Sequence, residues 1–112
     1  MQDEITFEDF QKLDFKVGRV LEAKDVSGSD KMIRLMVDFG SLGKKTIFSA
    51  IRKWYKAKDL QDNLYVFIFN LAPRPMFGEE SQGMIIAAET EDGESCVLLI
   101  PDKEIPPGTR VH

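Results

Sequence analysis

The sequence predicts an all-β domain, a small Greek-key barrel carrying two short helices, and three observations predict it. The stretch "MIRLMVDFG" sets Ile33, Leu35, Val37 and Phe39 on one face of an extended chain and Arg34, Met36 and Asp38 on the other, the period-two alternation of a half-buried strand. The stretch "LYVFIF" at residues 64–69 is apolar throughout, so both faces of that strand need cover. Three strand-like runs, a helical segment and a closing pair of strands follow one another between turn signals, an order that suits a barrel of the oligonucleotide-binding type. A generic small β-barrel shares that order, and pattern alone leaves the two open.

The elements follow in sequence. Thr6 and Asp9 have the spacing of a capping box, with Ile5 and Phe10 where a hydrophobic staple would stand, so a helix is expected from about residue 7 to 13 with Phe7, Phe10 and Leu13 on one side. "FKVGRVLEAKDV" reads as a strand interrupted near Gly18-Arg19, because a glycine inside a strand commonly marks a bulge. "SGSD" is a turn by composition, "SLGK" another, and "KTIFSAI" a third strand rich in β-formers. "RKWYKAKDLQDN" has the make-up of a short helix or helical turn. The segment "NLAPRPMFGEESQGM", residues 70–84, carries two prolines and two glycines and is expected to be an irregular loop. "MIIAAE" and "SCVLLIP" are then joined through "TEDGES", whose Asp92-Gly93 is a strong hairpin signal. The proline-rich tail "DKEIPPGTRVH" is expected to lie extended on the surface.

At 112 residues the chain fits one domain, 1–112, and folding would bury roughly two-thirds of its extended surface. Its composition, 43% hydrophobic and 30% charged, is that of a soluble globular protein, and no apolar run reaches the ~20 residues of a membrane span. The start "MQDEITFEDF" lacks the features of an export signal, and a lone Cys96 suits a reducing compartment, so a cytoplasmic address is expected. The net charge of -4 hides an uneven distribution: residues 12–58 hold twelve bases and five acids, net +7, which leaves -11 for the rest. A local basic field matters to an anionic ligand more than the total, since exposed charges beyond ~8 Å are largely screened at physiological salt.

Catalytic chemistry has little to work with here. The one histidine is His112, Cys96 lies in the apolar run "SCVLLI" where a buried structural thiol is expected, and two Cys or His residues cannot supply a zinc site. No phosphate-cradling glycine motif is present. The sequence reads as a binding module, not an enzyme, with no cofactor and no metal.

The segments "DFKVGRVLEAKDVSGSDKMIRLMVDFG", "SAIRKWY", "NLAPRPMFGEESQGM" and "LLIPDKEIPPGTRV", in that order and spacing, resemble the tRNA-binding domain family. That domain is appended to some methionyl-tRNA synthetases, at the C-terminus, and to some phenylalanyl-tRNA synthetases, and it also occurs free-standing. The resemblance implies a five-stranded oligonucleotide-binding barrel, a homodimer, and structure-specific tRNA binding through the backbone, as an accessory or beta subunit of an aminoacyl-tRNA synthetase for methionine. It also implies candidate contacts. Lys31 matches the lysine of the family's "SDK" motif, and Arg34 projects outward on the second strand. Asn70, Arg74, Ser81, Gln82 and Met84 fall on the family's loop pattern: Asn70 is expected to tie down the loop or meet a sugar hydroxyl, Arg74 to pair with phosphate, Ser81 and Gln82 to donate to backbone oxygens, and Met84 to pack against a ribose or base or into the core. Arg52 and Lys53 beside Trp54 and Tyr55 offer bases interleaved with aromatics, with Trp54 expected to pack more than stack. Three positions depart from the pattern: Pro75 stands where a second base is common, Glu79 where an apolar residue is common, and Ala50 where "SGI" has glycine. The first two make this copy less basic, so weaker RNA affinity is expected without loss of the fold. The alternative within the same family is a CsaA-like chaperone that binds unfolded or exported polypeptides, for which Met76 and Phe77 are the expected contacts.

Overall fold

The structure is a computed structural model that describes residues 3–112. The elements run α1 (Phe7–Gln11), β1 (Phe15–Asp25), β2 (Ile33–Asp38), β3 (Lys44–Ser49), α2 (Ala57–Leu60), β4 (Leu64–Ile68), β5 (Arg74–Met76), β6 (Glu79–Ser81), β7 (Met84–Ile85), β8 (Ala87–Glu89), β9 (Cys96–Leu98) and β10 (Arg110–Val111). The main sheet is antiparallel in the order β3-β2-β1-β4-β7, five strands that curl into a nearly closed barrel of the oligonucleotide-binding kind.

The alternation of β2 decides what fills the barrel. Ile33, Leu35, Val37 and Phe39 are wholly buried and meet Val20, Ile47, Leu60 and Phe67 in one cluster. Phe39 sits edge-on to Phe67 and Phe69, with ring centroids 5.4 and 4.9 Å away, a geometry that sets the positive ring edge against the negative ring face.

Two expectations about β1 and the first helix change. Pairing of β1 with β4 runs unbroken from Phe15↔Ile68 to Arg19↔Leu64, so Gly18 is no interruption. A Cβ there would lie 2.6 Å from Val37 Cγ1 and 2.7 Å from Phe39 Cε1, which makes the glycine a packing requirement of the core above it. The bulge falls later, between Val20 and Glu22 in the pairing with β2. Helix α1 starts on the expected capping box, Asp9 N donating to Thr6 Oγ1 at 3.1 Å and Thr6 N to Asp9 Oδ2 at 3.4 Å, but it stops at Gln11 and buries no residue. Ile5, Phe7 and Leu13 stay exposed, and only Phe10 turns inward, 6.3 Å from the Phe15 ring.

The second half differs from its reading in three places. Residues 70–84 are irregular only in part: between the irregular 70–73 and 82–83, β5 and β6 form a hairpin with register Arg74↔Ser81, Pro75↔Glu80 and Met76↔Glu79, turning through Phe77 (φ 50) and Gly78 (φ 80). "MIIAAE" divides between β7 in the main sheet and β8, which pairs with β9 in a separate ribbon. The tail also returns to the sheet, through Phe15↔Val111 and Lys16↔Arg110.

Candidate nucleic-acid interface

Cross-strand partners in a sheet share a face. Arg34 of β2 is opposite Phe48 of β3, and Met36 is opposite Thr46, so these four make the outer surface behind the core. The β5–β6 hairpin lies over that surface. The Phe77 ring is 5.9 Å from Phe48 and accounts for the burial of an outward-facing residue. Phe77 is itself 53% exposed and holds a left-handed backbone, which costs a non-glycine residue about 1 kcal/mol.

The bonds between β3 and the chain around β6 explain the polar residues of the loop. Gln82 N donates to Thr46 O at 2.8 Å while Gln82 Oε1 accepts from Thr46 N at 2.9 Å, and Ser81 Oγ accepts from Phe48 N at 3.0 Å. Side-chain oxygens therefore stand in for ladder carbonyls along the seam where the barrel closes. Gly83 continues the seam, since a Cβ there would fall 2.7 Å from Ile68 O. Ser81, expected as a donor to RNA, is only 3% exposed, and its hydroxyl oxygen closes the barrel. Gln82 is tied through its side-chain oxygen, is half-buried, and makes no hydrogen bond from its Nε2 among the described residues. Asn70 is a tether too, its Nδ2 donating to Lys12 O at 2.8 Å and its Oδ1 accepting from Asp14 N at 3.0 Å, so it fastens the segment after α1 to the end of β4.

The cations sort into engaged and free. Arg34 donates from Nε to Glu79 Oε2 at 2.7 Å and from Nη2 to Glu79 Oε1 at 2.8 Å. That hydrogen bond raises the arginine pKa above its ordinary value and draws the Glu79 carboxyl below its own. Arg52, expected on the contact surface, is half-buried: it donates to Ser29 O and lies 3.3 Å from Asp25. Lys53 is exposed, reaches Gly93 O at 3.1 Å and sits 5.4 Å from the Trp54 ring. Lys45 is held under the barrel wall, its Nζ 3.7 Å from the Phe69 ring centroid and 2.8 Å from Phe69 O, and burial lowers its pKa. Lys31 and Arg74 are exposed and make no ion pair among the described residues.

A shallow cleft of about 280 Å³ opens beside these residues, lined by Met32, Phe48, Trp54, Arg74, Met84 and Glu89 among others. Met84 begins β7 yet is 44% exposed, because its partner Ile68 lies on the strand's outer side. Trp54 packs against the core, as its size suggested, and its indole Nε1 is buried without a hydrogen-bond partner among the described residues. Sequence reasoning missed Met32, Phe48 and Glu89 as cleft walls. The pairing Arg34↔Phe48 was legible in principle from two adjacent alternating strands, but Glu89 arrives through the β8–β9 ribbon, which no local pattern placed here. Cys96 is buried in that ribbon, and desolvation pushes its thiol up, away from thiolate reactivity.

The outer face of β4 is incompletely covered at Val66. Val66, Phe10, Phe15, Ile86, Leu99 and Ile100 line an open apolar groove of about 670 Å³.

A small Greek-key barrel with exposed Lys31 and Arg74, an open cleft of mixed polarity and a separate apolar groove defines a ligand-binding barrel of the oligonucleotide-binding class. The family model described as "Putative tRNA binding domain" matches residues 15–110, and the chain belongs to that tRNA-binding domain family. It is 48% identical over 110 residues to methionine–tRNA ligase of Archaeoglobus fulgidus, covering 98% of this chain and 16% of that protein. The chain thus spans about one sixth of the length of that relative. Among solved structures it is similar to a MetRS related protein from Pyrococcus horikoshii, with TM-score 0.92, 37% identity, and coverage of 99% of this chain and 100% of the other. It is also similar to chaperone CsaA of Bacillus anthracis, with TM-score 0.88, 34% identity, and coverage of 98% and 100%.

Proposed function

We propose that this chain is a cytoplasmic homodimeric tRNA-binding module, not an enzyme, that grips the RNA backbone and assists a methionyl-tRNA synthetase. The observation that carries this reading is the family match over 15–110 together with the cleft that Arg74 and Met32, the neighbour of Lys31, both line. Lys31 and Arg74 are free to meet phosphates, the contact that positions a protein on nucleic acid without reading sequence. The apolar groove around Val66 supports the dimer, since a second copy would cover surface that one barrel leaves open.

Total tRNA, titrated at salt from about 50 to 200 mM, tests the reading: affinity should fall steeply across that range, and Lys31→Ala and Arg74→Ala should each reduce the salt slope by about one unit for every tRNA. Absence of a tRNA complex at the low end of the range would overturn it. Sedimentation at micromolar concentration should show a species of twice the chain mass.

The likeness to a chaperone keeps a second reading, peptide binding, and the exposed Phe77 and Met84 favour it. Apolar docking depends little on salt, so a peptide complex insensitive to salt and weakened by Phe77→Ser would select it.

A further inference from the structure

Arg34 presents two parallel N–H donors to the two oxygens of Glu79, at 2.7 and 2.8 Å. This is the side-on fork by which a guanidinium also takes two oxygens of a phosphate. A phosphate cannot use those donors while the carboxylate holds them, and the neutralised pair offers a polyanion no net attraction. The hairpin register brings the carboxylate there: Glu79 follows the Phe77-Gly78 turn directly, opposite Met76, and the Phe77 ring lies on Phe48, the cross-strand neighbour of Arg34. The tip of the hairpin is thus held by one apolar contact and one ion pair, while its base is bonded to β3 through Ser81 and Gln82. The side chains of Arg34 and Glu79 are 26% and 43% exposed, so solvent and salt screen the pair and an incoming anion can compete with it.

We propose that Glu79 is a built-in anion that occupies the phosphate-binding edge of Arg34, so that a nucleic-acid backbone reaching this face must displace the hairpin carboxylate. The identity of the ligand rests on the tRNA reading above; the masking of Arg34 does not. The device accounts for how a predicted contact and a predicted departure from the family pattern act on one another: the departure occupies the contact.

The test compares Glu79→Gln with Glu80→Gln, which removes the same charge from the exposed neighbour, in the wild-type and Arg34→Ala backgrounds. Total tRNA is titrated across about 50 to 200 mM salt, and the same four variants are eluted from immobilised heparin, a polyanion without RNA structure. Freeing one phosphate contact should tighten tRNA binding by about 5- to 10-fold near 100 mM salt and steepen the salt slope by about one unit. Glu80→Gln should give clearly less, and in the Arg34→Ala background the two variants should be equal. Heparin elution should follow the same order. A Glu79→Gln gain no larger than that of Glu80→Gln, or one that persists without Arg34, overturns the proposal. If no variant binds tRNA, the tRNA reading fails, and the heparin series alone decides: a shift specific to Glu79→Gln and dependent on Arg34 sustains the masking, and equal elution overturns it.

Discussion

The inner and outer faces of β2 are built on different principles. Inside, Ile33, Leu35 and Val37, with Phe39 just past the strand, join one buried cluster fed by β1, β3, α2, β4, β7 and β9. Outside, Arg34 and the β3 residue Phe48 are covered by a hairpin that touches their side chains through one ring and one carboxylate, beside the Ser81 hydroxyl on the Phe48 amide. The difference teaches where stability and where binding reside. The inner face excludes water and tolerates little change, whereas the outer contacts are few, partly wet and exchangeable, which a ligand-facing element requires.

The most damaging way to test that division is Phe39→Ala. It empties the centre of a three-ring aromatic cluster and should lower stability by about 3–5 kcal/mol, read by urea denaturation. Loss of under about 1 kcal/mol would mean that the core does not hinge on β2.

A smaller effect is expected at the seam between the two regions. Ser81→Ala leaves Phe48 N–H buried with no acceptor and should lower stability by about 1–3 kcal/mol, with a matching loss of amide protection at Phe48. If Ser81 were instead a contact to RNA, the variant would fold as well as wild type and lose affinity alone, so the two measurements separate the roles.

That seam also marks where the sequence stopped being legible. The alternation of β2, the Thr6–Asp9 capping box and the Asp92-Gly93 turn are local patterns, and each appears as read; Asp92 Oδ1 accepts from Thr90 Oγ1 at 2.7 Å and from Glu94 N at 3.0 Å. Gly18 was visible but misread, because the same residue serves a bulge or a close approach, and only Val37 and Phe39 across the sheet decide which. Residues 74–81 were not seen as a hairpin because prolines and a Phe-Gly turn lack the Asn-Gly or Asp-Gly signature. The polar residues of that segment looked like ligand contacts for a related reason: their partners Phe48, Thr46 and Arg34 lie more than thirty positions away, and residue type alone cannot tell a hydroxyl aimed at RNA from one that closes a barrel.

The smallest expected effect lies at the ion pair that joins the two faces. Arg34 holds the Glu79 carboxyl below its ordinary pKa. A depressed carboxyl binds fewer protons folded than unfolded, so its contribution to stability is present above the ordinary carboxylate range, about pH 4–5, and is lost as pH falls through the depressed value. An NMR titration of the side-chain carboxyl should show Glu79 titrating below the ordinary glutamate range. In Arg34→Ala it should return to the ordinary range, and a Glu79 midpoint unmoved by that substitution would show that the ion pair is not what holds it down. The change in melting temperature on acidification should be slightly shallower in Glu79→Gln than in wild type. Because the pair is exposed, that difference should shrink further in high salt, unlike the losses at Phe39 and Ser81, which arise from packing and from an unpaired buried amide.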